Sequence, residues 1–249
     1  MLTMKTMKTM KTMKLQEIKN TIRCGHPTDF VWHPPYTMTM LTLEQLDNIE
    51  YCIKDVVKNK IEGDFIECGV WRGGACIYAY YVLKNLGENR KVYVADSFEG
   101  LPKPNEELYP ADSGDNHWTY PELSVSVEKV KENFEVFGKV DENVVFVKGF
   151  FKDSLPKCDI KKISVLRLDG DMYESTMDSL VNLYHKLSIG GYCIVDDYLG
   201  VRGCTEAIHE FREKHGIDDE MIRCQKEPTI NGHDANGFWP NSVYWKKTK

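Results

Sequence analysis

Residues 163–180 read ISVLRLDGDMYESTMDSL, and residues 190–200 read GGYCIVDDYLG. Each is an apolar, β-branched run that ends in paired acids: Asp169 and Asp171 in the first, Asp196 and Asp197 in the second. Near-continuous apolar character suits strands buried on both faces, as in a parallel sheet covered by helices. Working outward, the same kind of run recurs at DFIECGV (64–70), KVYVAD (91–96) and NVVFVKG (143–149), making ISVLRLD (163–169) and GYCIVDD (191–197) the last of five candidate strands. Amphipathic stretches near 74–86, 124–137, 173–188 and 202–215 separate them, and Leu180, Leu183, Tyr184 and Leu187 share one face of the third. Another helix is expected from Thr42, where Thr42 and Gln45 form a capping-box pattern and Leu46, Ile49, Ile53 and Val57 recur at helical spacing. At the C-terminal end MIRCQKEPTI and NSVYWKK flank a Gly/Asn-rich loop and read as an antiparallel pair. The expectation is an α/β fold: a mostly parallel seven-stranded sheet, helices on both faces, and a C-terminal antiparallel hairpin.

The chain has 249 residues and 42% hydrophobic content, enough for one α/β domain with extensions. The expected division is a tail over 1–35, a lid segment and helix over 36–62, and the main domain over 63–249. A formal net charge of -6 with no basic stripe argues against nucleic acid as a partner. Eight cysteines with no C-x-x-C pair point to a reducing, cytoplasmic setting and to no zinc site. The opening MLTMKTMKTMKTMK repeats Thr-Met-Lys, and its regular lysines interrupt any signal-peptide core; it reads as a frayed tail. No run approaches a membrane span. Assembly into a homo-oligomer is compatible with the composition.

Ligands of open parallel sheets sit beyond the carboxyl ends of the strands. The first strand ends in ECGVWRGGAC, where Trp71 occupies the position at which a dinucleotide fingerprint needs glycine. An acid, a glycine and then small residues suit a cofactor with an ammonium group and no phosphate, such as S-adenosylmethionine (SAM). The second strand ends in Asp96, placed to accept both hydroxyls of a ribose. The four aspartates close consecutive strands and should converge. Converging carboxylates repel one another, and a hard divalent cation, Mg²⁺ or a similar ion, relieves the repulsion. Asp169, Asp196 and Asp197 are the candidate metal ligands and Asp171 the candidate base. A bound cation beside SAM would lower the pKa of an acceptor hydroxyl that is to be methylated.

The segments YTMTMLTLEQLDN, GDFIECGVWRGGACI, VYVADSFEGLP, LSVSVEKVKENFEVFG, VLRLDGDMYESTMDSL, GGYCIVDDY, GCTEAIHEFR and SVYWKK occur in that order from residue 36 to the end. In them the chain resembles the Mg²⁺-dependent macrocin O-methyltransferases, which methylate sugar hydroxyls of macrolide and aminocoumarin antibiotics. The resemblance implies a Rossmann-like class I SAM-dependent methyltransferase with the same metal ligands and base. It also implies a cofactor pocket lined by Glu67, Cys68, Gly69, Val70 and Trp71 and by Asp96, Ser97, Phe98, Glu99 and Gly100. Ser126 with Phe151 and Lys152 would complete it around the adenine, and Tyr36, Thr37 and Met38 would close over it. The acceptor, a small hydroxylated glycoside or natural product, would meet the long segment 103–123, whose His117 is a second catalytic candidate. The segment 228–241, with His233 and Trp239, would form another wall. Competing expectations are a catechol O-methyltransferase, an NAD-dependent oxidoreductase and a silent small-molecule binder; the missing pyrophosphate fingerprint and the four aspartates weigh against the last two.

Overall fold

The computed structural model describes residues 14–23, 37–224 and 242–249. Strands form where the apolar runs lie: β1 (Asp64–Cys68), β2 (Val92–Asp96), β3 (Val144–Lys148), β4 (Ile163–Leu168) and β5 (Leu187–Val195), all parallel. The short β6 (Ile222–Arg223) and β7 (Val243–Lys246) pair antiparallel beside β5. The seven-stranded order is β3–β2–β1–β4–β5–β7–β6. Around the sheet lie α1 (Leu15–Ile22), α2 (Leu43–Lys58), α3 (Gly74–Asn85), α4 (Val127–Glu135), α5 (Phe151–Ser154), α6 (Tyr173–Leu183) and α7 (Arg202–Lys214).

Period-2 alternation divides the core between the two faces. Phe65, Val94, Val165, Tyr192 and Ile194 pack in one cluster with α1, α2, α3 and α4; Ile66, Leu166, Leu168, Cys193 and Val195 pack in the other with α6 and α7. β4 is buried at all six positions, as a strand covered on both faces must be. Strand order reverses between β1 and β4, so the connections that leave their carboxyl ends run to opposite sides of the sheet and leave a crevice, the usual ligand site of such sheets.

Two elements differ from expectation. α6 stops at Leu183, residues Tyr184–Lys186 tighten into a 3₁₀ turn, and Leu187 opens β5 opposite Ile163. Its burial is that of a strand residue, and an apolar side chain at a helix-to-strand junction imitates one further helical turn. The expected tail also contains α1, whose Ile18 and Ile22 are fully buried. Lys19 of α1 reaches Asp47 and Glu50 of α2 and lies over the Tyr78 ring, fastening α1 to the domain.

The expected cap of α2 is present: Thr42 Oγ1 accepts the Gln45 amide and Gln45 Oε1 accepts the Thr42 amide at 2.8 Å. The same Gln45 donates through Nε2 to Asp196 Oδ1 at 3.0 Å, so the start of α2 is tied to the tip of β5.

Candidate active site

Register explains why the acids meet. Glu67 on β1 pairs with Arg167 on β4, which pairs with Ile194 on β5. Side chains two residues further along each strand keep the same face, so Gly69, Asp169 and Asp196 follow in a row across the three tips. Arg167 is fully buried beneath that row. Its guanidinium donates to Glu67, to Asp169 Oδ2 at 2.6 Å and to Asp196 Oδ1. Burial lowers its pKa, but Asp196, Asp169 and Glu67 outweigh that and hold it well above the ordinary arginine value. A lone charge within an otherwise apolar strand was the available sequence signal for this residue.

One carboxylate oxygen from each of Asp169, Asp196 and Asp197 lies within 4.8 Å of the others. Asp196 Oδ1 also accepts Ser242 Oγ at 2.9 Å, at the start of β7. Burial and the negative neighbour Asp196 push the Asp169 carboxyl well up despite Arg167. Burial, Asp171 and Asp169 do the same to Asp197. One guanidinium thus meets Glu67, Asp169 and Asp196, with Asp197 beside them, an excess of negative charge in a cluster of oxygen donors. That donor set fits a hard divalent cation. Asp171 stands beside the cluster in a left-handed backbone conformation, φ 58°, with its amide donating to Asp197 Oδ2 at 3.1 Å. Burial raises its carboxyl to about 6, partly offset by His117.

A cleft open to solvent lies at these tips. From the expected cofactor set it is lined by Gly69, Trp71, Asp96, Ser97, Gly100, Phe151 and Lys152, together with Asp169 and Asp171. Asp96 accepts the Val70 amide at 2.8 Å and the Phe98 amide at 2.7 Å, joining the two turns that border the cleft. Burial raises its carboxyl against those amides. Gly69, at φ 89°, has no room for a side chain, because a Cβ would stand 1.7 Å from the Asp169 carbonyl oxygen. The close approach permitted by that glycine is to the protein's own β4 end.

The other candidates stand elsewhere. Glu67 is 2% exposed, bonded by Arg167 and at 2.8 Å by the Cys76 thiol, and Cys68, Val70 and Phe98 are buried in the core. Glu99 lies 3.8 Å from Lys148, and Ser126 caps α4 by accepting the Lys129 amide at 3.2 Å. Thr37 is buried with its carbonyl bonded by Arg72, and the Met38 carbonyl accepts the Gly74 amide of α3. From this segment Met40 lines the cleft. Tyr36, His233 and Trp239 lie outside the described residues. Lining residues not anticipated include Leu101, Pro102, Phe150, Glu174 and Asp178. Lys152 is 3.6 Å from Glu174 across this wall.

Segment 103–123 folds into three short 3₁₀ turns and reaches back to Trp71, whose Nε1 donates to the Glu122 carbonyl at 2.9 Å. His117 is held by Asp115: its amide meets Oδ1 at 2.9 Å and its ring Nδ1 meets Oδ2 at 2.8 Å.

Residues 1–230 match the family model described as macrocin-O-methyltransferase (TylF). The chain is 42% identical over 218 residues to demethyldecarbamoylnovobiocin O-methyltransferase of Streptomyces niveus, covering 87% of this chain and 78% of that one. To mycinamicin III 3''-O-methyltransferase of Micromonospora griseorubida it is 38% identical over 220 residues, covering 87% and 81%. The solved structure of the O-methyltransferase NovP superposes with a TM-score of 0.79 at 41% identity, over 94% of this chain and 88% of that one.

Proposed function

This chain belongs to the macrocin O-methyltransferase family, and from that premise we propose that it moves a methyl group from SAM to a hydroxyl of a neutral, glycosylated natural product. Asp169, Asp196 and Asp197 hold a divalent cation, Mg²⁺ by preference, and Asp171 takes the proton. The observation that carries the metal assignment is the convergence of those three carboxylates within 4.8 Å of one another, one of them, Asp169, lining the cleft. When bound, the cation would supply Lewis acidity that makes an acceptor hydroxyl easier to deprotonate.

The chain's own residues divide the remaining work. Arg167 and Gln45 hold Asp196 through Oδ1, which fixes the carboxylate's orientation. A carboxyl raised to about 6, as Asp171 is, suits a base working near neutral pH better than an ordinary aspartate does. Asp96 and the β1–α3 turn form the floor on which the cofactor's ribose lies.

Charge selects the acceptor class. Asp96, Asp169, Asp171, Glu174 and Asp178 line the cleft, and among the described residues Lys152 is the one cation that lines it. The described lining offers Lys152 alone to a nucleoside diphosphate, whereas a neutral glycoside needs no such partner. Leu108, Trp118 and Leu199, on segments flanking the acids, are 68%, 42% and 45% exposed and offer apolar contact to a scaffold. The test is mass spectrometry for the gain of one methyl group with SAM and Mg²⁺. Demethyldecarbamoylnovobiocin, mycinamicin III, a catechol and a nucleoside diphosphate sugar serve as acceptors. Methylation of a neutral glycoside that stops in chelator is expected. Preference for the diphosphate sugar, or undiminished turnover in chelator, would sink the acceptor or the metal assignment respectively.

A further inference from the structure

Asp112 belongs to the short turn Pro110–Asp112, yet its side chain serves a helix sixty-odd residues away. The carboxylate is 2% exposed; Oδ1 accepts the Tyr173 amide at 2.6 Å and Oδ2 the Glu174 amide at 3.1 Å. These are the first two amides of α6, whose own N-cap residue, Met172, makes no side-chain cap. Orphan amides and the positive end of the helix dipole both favour a carboxylate there. Room for it comes from Gly203 in the first turn of α7: a Cβ would stand 2.3 Å from Asp112 Oδ1 and 2.7 Å from the Tyr173 nitrogen. The Tyr109 ring lies 5.7 Å from that of Tyr173, and the Tyr173 hydroxyl donates to Glu210 of α7 at 2.6 Å. Segment 103–123 is therefore wedged between the starts of two helices.

What this joint carries is the Asp115–His117 pair. The Asp115 amide bonds the Asp112 carbonyl at 3.1 Å, and the Asp115 side chain is 10% exposed. With Nδ1 facing a carboxylate, the neutral ring keeps its proton on Nδ1 and leaves Nε2 as an acceptor. The joint grips the amides of Tyr173 and Glu174, and Glu174 lines the cleft together with Asp171.

We propose that Asp112 is a positioning residue for the acceptor: by capping α6 from another segment it locks 103–123 in place and sets the Asp115–His117 pair at the acceptor side of the aspartate cluster. There His117 Nε2 accepts a hydrogen bond from an acceptor hydroxyl and fixes which hydroxyl faces the methyl donor. This assignment rests on the methyl-transfer function proposed above.

Two readouts on the full chain test it. Amide hydrogen exchange across 103–123 reads the docking, and steady-state kinetics with whichever acceptor the wild type methylates reads its consequence. Asp112→Ala is expected to speed loop exchange about tenfold and to raise the acceptor KM by about as much, the loss of one good helix cap. SAM affinity should change by less than about twofold, as expected of a site outside the cofactor contacts. Asp112→Asn keeps an oxygen for the Tyr173 amide and should recover most of both effects. Gly203→Ala, whose Cβ enters the space of Asp112, should reproduce them. Because Asp112 acts through His117, Asp112→Ala with His117→Gln should lose no more kcat/KM than the worse single variant. Unchanged loop exchange in Asp112→Ala, or losses that multiply in the double variant, would overturn the proposal. A wild type that methylates no acceptor would remove the proposed function, while loop exchange would still decide whether Asp112 holds the segment.

Discussion

Replacing Arg167 by methionine removes the charge of the buried guanidinium while keeping an unbranched apolar stem of similar volume. Arg167 is fully buried, with Glu67 2% exposed on one side and Asp169 and Asp196 above. Removing one partner of a buried ion group leaves its opposite charges without compensation, which costs about 3–5 kcal/mol. Domains of ordinary stability have about 5–15 kcal/mol in total, so the loss is a large share. The cost should depend on pH. Burial already raises the Glu67 carboxyl even with Arg167 beside it. Without the guanidinium that carboxyl rises further, so the folded variant binds a proton that the unfolded chain does not. A raised folded-state carboxyl makes stability fall as pH climbs above the unfolded value of about 4.3, so the deficit should be larger at pH 8 than at pH 5. Urea unfolding followed by both circular dichroism and tryptophan fluorescence measures the deficit, with coincident transitions as the check on two-state behaviour. Arg167→Lys should fall between, since an ammonium cannot reach three carboxylates with a planar fork. A deficit below about 1 kcal/mol at pH 8, with an unchanged m-value, would refute the idea that this arginine holds the strand tips together.

Asp196→Ala should remove both turnover and the rise in Tm that Mg²⁺ produces on the wild type, with SAM affinity by calorimetry largely kept; a persisting Mg²⁺-induced shift would take Asp196 out of the ligand set. Asp171→Asn should lower kcat about 10²–10⁴-fold, the usual contribution of a positioned base, more than it weakens SAM; an unaltered kcat reassigns the proton to His117. For Glu50, burial raises the carboxyl, but hydrogen bonds from Lys54, Tyr78 and Lys19 outweigh it and bring it to about 2. A depressed folded-state carboxyl stabilises above the unfolded pKa and loses that contribution as pH falls from about 4.5 towards 2. Glu50→Gln should therefore cost about 1–2 kcal/mol at pH 7, after discounting for solvent screening at this half-buried site, and the gap from wild type should close near pH 2. Parallel denaturation curves across that range, with a constant gap, would contradict it.

The sheet was legible because its information is local. Five apolar runs with helical stretches between them, and a final pair without one, specify mostly parallel strands and a terminal hairpin, and the observed pairing directions agree. Thr42 and Gln45 announced α2 for the same reason, since a cap is made within four residues. α1 is not legible in the sequence because its apolar residues sit beside a lysine-rich repeat, and Lys19 becomes a buried partner only once Asp47 and Glu50 arrive from α2. Leu187 reads as helical in the sequence because burial alone does not distinguish the end of one element from the start of the next.

At the site the division follows distance along the chain. The gathering of Asp169, Asp196 and Asp197 was legible because they follow the ends of two strands, β4 and β5, and neighbouring parallel strands bring their ends to one edge. Which residue balances them was not recoverable: Arg167 faces Glu67 and Asp196 only through pairing across β1, β4 and β5. Nor could spacing reveal Asp112, whose partners are amides of a helix start far along the chain, reached through a gap kept open by Gly203. Strand tips are set by hydrophobic periodicity, which each segment carries within itself. Charge compensation and helix capping between segments depend on which elements become neighbours, and only the folded sheet decides that.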